Sequence, residues 1–151
     1  MGENGKPKVA FFDFACCEGC QLTVVDSLQT HLELVAAVEI VQFREAISEK
    51  GEDYLVAFIE GSCTRKEDEV RLRKIREQAA IVVALGACAH TGGVNALKNL
   101  QPSLQDVREY VYADKWDWYD TYAARPISAV IQVDAVIPGC PIDRYEFLDV
   151  V

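Results

Sequence analysis

No stretch of this sequence stays apolar for the roughly twenty residues that a helix needs to cross a bilayer. The opening residues, MGENGKPKVA, lack the long apolar run and small-residue cleavage site of a secretory signal, and they hold no twin-arginine pair. A cytoplasmic location with no direct membrane insertion is therefore expected. Basic residues are scarce, since 15 Lys and Arg face 24 Asp and Glu for a formal charge of −9. Phosphate backbones are bound by clustered cations, so a nucleic-acid partner is not expected. No glycine-rich dinucleotide fingerprint occurs, and NAD or flavin binding is not expected either. Internal repeats, low-complexity tracts and linkers are absent. With 151 residues, 50% of them hydrophobic, the chain is read as a single domain over 1–151.

What the chain does have is sulfur. Its 6 cysteines are too many to ignore, and in a reducing compartment they do not form a disulfide framework. Metal binding or redox chemistry is the leading reading. Three of the six crowd into FFDFACCEGCQLTVV, directly behind an apolar run.

Short apolar runs at 8–14, 38–43, 54–59, 80–85 and 133–137 predict strands, because each is bounded by breakers and most are rich in β-formers. Leu22, Val25, Leu28, Leu32 and Val35 recur at helical spacing and predict one helix over 21–36 with that face buried. Thr64 and Glu67 have capping-box spacing ahead of a second helix, with Leu72, Ile75 and Ala79 inward and the run RKEDEVRLRKIRE as its solvated side. Ser103 and Asp106 repeat the spacing before a third. Only ADKWDWYDTYAARPI resists assignment. Strands alternating with helices, and too continuously apolar for one wet face, imply an α/β fold: a flavodoxin-like, doubly wound parallel sheet with helices on both faces.

On this scaffold Cys16, Cys17 and Cys20 follow the first strand, Cys63 follows YLVAFIEGS, Cys88 follows IVVALGA and Cys140 follows DAVIPG. All six fall at carboxyl ends of strands, the edge where open parallel sheets bind ligands. Gly19, Gly61, Gly86, Gly92, Gly93 and Gly139 stand beside these turns and allow close backbone approach to an anionic centre. Four thiolates suit a structural zinc or a 4Fe-4S cluster. Only Cys17 and Cys20 make a C-x-x-C pair, and the remaining cysteines come singly from distant strands, which favours iron-sulfur over the two knuckles of a zinc site. A dithiol oxidoreductase built on C-x-x-C is a third reading, and it leaves Cys88 and Cys140 unused.

CCEGCQLTVVDS, AFIEGS, VVALGACAHTGG and VIPGCPID, in this order and spacing, resemble the small subunit of nickel-iron hydrogenases, especially the soluble cytoplasmic type. The small subunit of respiratory NADH:quinone oxidoreductase shares the fold and the last two motifs. The resemblance covers about residues 8–147. It implies that the chain is part of an enzyme acting on hydrogen, with no catalysis of its own. In that enzyme one proximal 4Fe-4S cluster relays electrons between a large subunit with a Ni-Fe site and further electron-transfer subunits. The ligands carried over are Cys17, Cys20, Cys88 and Cys140. A quinone-linked subunit would instead use the adjacent Cys16, which the hydrogenase set leaves spare. Cys63 is read as a small buried apolar residue.

Glu60 is expected in structural hydrogen bonds near the cysteines. His90 is open to two roles, donor to a cluster sulfur or turn stabiliser, and His31 is expected at the surface of the first helix. Trp116, Trp118, Tyr119 and Tyr122 form an aromatic patch that either docks another subunit or covers the chain's own core. Small subunits of the resembled family continue beyond the point corresponding to Val151, so a minimal or truncated form is expected.

Overall fold

A computed structural model describes residues 5–118 and 120–151. The five predicted runs form β1 (Lys8–Asp13), β2 (Glu39–Gln42), β3 (Val56–Glu60), β4 (Ile81–Leu85) and β5 (Ala135–Ile137). All pairings are parallel, and the order is β2-β1-β3-β4-β5. This is the flavodoxin-like order, with its reversal between β1 and β3. The register there pairs Val9 with Val56 and Asp13 with Glu60, so both strands end level at the carboxyl edge.

Successive strand residues point to opposite faces, and both faces are covered. Ala10, Phe12, Ala57, Ile59, Val82 and Ala84 pack on one side with Leu72, Ile75 and Ala79. Val9, Phe11, Phe58, Val83, Leu85 and Ile137 pack on the other with Val24, Phe43 and Phe147. Two-sided burial explains why the strand sequences read as unbroken apolar runs. Phe11 stacks between Phe43 and Phe58 at centroid distances of 4.3 and 4.8 Å.

The helices are α1 (Gly19–Thr30), α2 (Leu32–Ala37), α3 (Lys66–Gln78), α4 (Gly86–Thr91), α5 (Leu104–Tyr112) and α6 (Arg144–Val150). Two predictions need correction here. The helix expected over 21–36 is broken at His31, which takes φ −127° and ψ 69° and whose Nδ1 lies 3.1 Å from the Ser27 carbonyl. Its buried face is Cys20, Gln21, Val24 and Ser27, while Leu22, Leu32 and Val35 are exposed. Val25 and Leu28 of the predicted face do pack against the core, but a pattern read from large apolar residues passed over Cys20, Gln21 and Ser27.

The cap of α3 is also displaced by one residue. Asp68, not Glu67, turns back to accept from the Thr64 and Arg65 backbone N–H groups at 3.0 Å each, and from the Thr64 hydroxyl at 3.3 Å. The charge run is solvated over most of its length, as expected, and two of its arginines also tie down neighbouring backbone. Arg76 donates to the Ala79 and Ala80 carbonyls and pairs with Asp134 before β5. Arg71 lies 4.6 Å over the Phe14 ring and donates to the Asp13 carbonyl at 2.7 Å. Ser103 caps α5 as predicted, accepting from the Asp106 N–H at 3.2 Å. The unassigned stretch opens as a three-ten helix, Ala113–Trp118.

Candidate functional site

The four cysteines at the carboxyl rim of the sheet come from three strand exits. Cys17 lies in the loop after β1, and Cys20 is in the first turn of α1. Cys88 belongs to α4, directly after β4, and Cys140 lies in the turn that follows β5. All six cysteines are free thiols; Cys17 and Cys140 are exposed, Cys20 is buried and Cys88 is half-buried.

Glycine makes room for these sulfurs. A Cβ on Gly86 would collide with the Cys20 sulfur, and one on Gly93 would stand 2.7 Å from the Cys88 sulfur. Both glycines have positive φ, +80° and +54°, where a side chain is strained in any case. Gly19 brings the backbone within van der Waals reach of Cys17, its Cβ position lying 3.4 Å from that sulfur.

Electrostatics reports the same proximity. Burial first, then the charges of Cys140 and Cys17, push the Cys88 thiol up, while the Val94 backbone N–H opposes them. Burial, followed by the Glu60 carboxylate, pushes Cys20 up to about 12, and Cys88 adds to the rise. The Ile142 backbone N–H works against it. Metal-free, these thiols hold their protons. That removes Cys20 as the low-pKa thiol a dithiol oxidoreductase requires.

Glu60 is the residue that organises the first loop. Only 2% exposed at the end of β3, its carboxylate accepts from the Cys20 N–H at 3.2 Å and the Gln21 N–H at 3.0 Å. Those are free donors at the start of α1, where a negative charge is favoured. The structural role expected of Glu60 is thus observed. Gln21 went unremarked in the sequence. Its side chain is 1% exposed and neither amide atom has a partner among the described residues.

Cys16 is half-buried and raised to about 12 by burial and then by Glu60. Cys63 is fully buried and forms part of the core, as expected, with its sulfur 3.0 Å from the Tyr122 hydroxyl. His90 is exposed on the last turn of α4. The aromatic patch divides. Tyr122 packs on the chain's own core, Trp116 is half-buried under Arg108, Trp118 is 70% exposed, and Tyr119 lies outside the described residues.

Among the described residues, no three His, Cys, Asp or Glu side chains converge as one bound ion would require. Thiolates on a single zinc sit within about 4.6 Å of one another, twice a bond of about 2.3 Å. The corners of a four-iron cube attach to different irons and stand farther apart. Four thiols on one rim, with glycine close against three of them and backbone N–H groups facing two, fit a cube in donor chemistry.

Fold and rim together define a flavodoxin-like domain that presents cysteine sulfur where such folds hold ligands. The chain belongs to the family of the NADH ubiquinone oxidoreductase 20 Kd subunit, whose profile matches residues 17–151. Its relatives include the sulfhydrogenase 2 subunit delta of Pyrococcus furiosus, 30% identical over 95% of this chain and 60% of that protein. The NAD-reducing hydrogenase HoxS subunit delta of Cupriavidus necator is 29% identical over 93% of this chain and 74% of its own length. A crystal structure of an NAD+-reducing NiFe-hydrogenase in the H2-reduced state contains a chain that superposes with a TM-score of 0.77 at 28% identity. That match covers 90% of this chain and 83% of the other. The chain thus spans about three-fifths of the Pyrococcus relative's length.

Proposed function

We propose that this chain is the electron-transfer small subunit of a nickel-iron hydrogenase, in which Cys17, Cys20, Cys88 and Cys140 hold one 4Fe-4S cluster beside a large subunit with a Ni-Fe site. The observation that carries this reading is the close approach of Gly86 and Gly93 to sulfur, where a Cβ would strike the Cys20 and Cys88 sulfurs. When bound, such a cluster passes one electron at a time, at a potential set by hydrogen bonds to sulfur and by solvent exposure. The chain's own residues present the ligands. Glu60 anchors the start of α1, the Val94 and Ile142 N–H groups face sulfur, and Cys17 and Cys140 open toward the surface. Val94, Leu97, Leu100, Tyr110, Val111 and Trp118 are all at least 60% exposed. That apolar surface, close behind Cys88 in the chain, suits docking of the large subunit. Among the described residues no helix is long and apolar enough to cross a membrane, which suits a cytoplasmic complex with further electron-transfer subunits.

The test is anaerobic co-expression with a hydrogenase large subunit, followed by metal analysis and electron paramagnetic resonance. About four iron and four sulfide per chain are expected, with nickel co-purifying. Zinc at one per chain would overturn the proposal. Cys20→Ser should abolish the cluster while Cys16→Ser retains it; the reverse result would assign the quinone-linked ligand set.

A further inference from the structure

Three cysteine-bearing loops must keep a common register at the rim, and strand pairing ends before any of them begins. The loop after β1 is tied to the one after β3 by a two-residue bridge: the Ala15 N–H donates to the Ser62 carbonyl at 3.3 Å, and the Ser62 N–H donates to the Ala15 carbonyl at 3.0 Å. Neither of these bonds reaches the segment behind Cys88. Asn95 does. Its Nδ2 donates to the Ala15 carbonyl at 2.5 Å and to the Ser62 hydroxyl at 2.9 Å. The Ala15 carbonyl only accepts, so the amide nitrogen must face it, and an amide nitrogen has two hydrogens for its two partners.

Ala15 immediately precedes Cys16 and Cys17, and Asn95 comes two residues after Gly93, the glycine pressed against the Cys88 sulfur. We propose that Asn95 is a positioning residue: a clamp that holds the Cys16–Cys17 loop and the Gly61–Ser62 turn in register with the Cys88 segment. As it bears on a metal centre, the inference rests on the function proposed above. The clamp itself is a property of the metal-free chain.

The neighbouring Asn99 supplies a matched control. It lies on the same three-ten segment, Gly93–Leu100, and makes two bonds of 2.8 Å, but both go to Ala124 and neither to the rim. Hydrogen exchange on the full, metal-free chain, read by mass spectrometry, separates the two. Asn95→Ala and Asn95→Asp should speed exchange at the Ala15 and Ser62 amides about tenfold, as expected for losing two neutral hydrogen bonds. Protection of β4 should stay intact, and Asn99→Ala should leave Ala15 and Ser62 at the wild-type rate. Unchanged exchange at Ala15 and Ser62 in the Asn95 variants overturns the clamp. So does an equal effect from Asn99→Ala, or a loss of β4 protection that makes Asn95 a general stabiliser.

In the loaded complex, Asn95→Asp should keep its iron and sulfide but shift the midpoint potential and the paramagnetic line shape, with Asn99→Ala matching wild type. An identical potential and line shape overturns the link to the centre. Wild-type complex devoid of iron would sink the function proposed above, and the exchange result would still decide on the clamp.

Discussion

The thiols of the rim differ in how they meet solvent, and their reactivity follows. Cys20 is 6% exposed and raised to about 12, whereas Cys17 and Cys140 are exposed. Only thiolate alkylates readily. In the metal-free chain at mildly alkaline pH, iodoacetamide should modify Cys17 and Cys140 while Cys20 stays largely free, as read by peptide mapping; rapid labelling of Cys20 would revive the dithiol reading. At this scale the sequence brought out the cysteines and was silent about what holds them. Four cysteines beside glycines could be seen in the motifs. The acceptance of two backbone N–H groups by Glu60 and the reach of Asn95 to Ala15 depend on contacts across 40 and 80 residues, and no local pattern encodes them.

Elements were more legible than their ends. Five strands appeared where apolar runs predicted them, because two-sided burial demands apolar residues along most of β1, β3 and β4. The break at His31 left no comparable mark, since Thr30, His31 and Leu32 contain neither Gly nor Pro. Helix α3 offers two tests. Asp68 satisfies two backbone donors at its start, and Asp68→Ala should destabilise the chain by about 1 to 2 kcal/mol in urea unfolding; an unchanged midpoint would deny the cap. At the other end, the Arg76 guanidinium, together with the Val82 N–H, holds the Asp134 carboxyl below its ordinary 3.8. A depressed carboxyl stabilises the fold above its unfolded value, and that contribution vanishes as pH falls through the folded value. Arg76→Met should therefore be less stable than wild type at neutral pH. The gap in thermal midpoint should narrow as the solution is acidified through the carboxylate range, whereas a gap constant with pH would assign the loss to packing alone.

For the whole molecule, acidity and exposed apolar surface occur together. The chain carries a formal −9, yet Leu97, Leu100, Tyr110 and Trp118 stand open to solvent, where the proposed large subunit would dock. Leu100→Asp should leave the unfolding free energy of the isolated chain within about 0.5 kcal/mol of wild type in urea unfolding, because the side chain is 78% exposed, while weakening recovery of the large subunit in co-purification. Equal recovery would place the docking surface elsewhere. Fold class was readable at this scale because alternation of element types dictates layers. Which exposed residues would meet a partner was not, since Tyr122 and Trp118, near neighbours in sequence, divide between core and surface.

The sulfurs at the rim are separated by nearly the whole length of the chain, and Cys140 comes only after β5 has been made. A ribosome delivers them in order. Until the last strand leaves the exit tunnel and docks beside β4, the nascent protein has a set of thiols but no common place for them. Any centre that needs all four must therefore wait until β5 has joined the sheet.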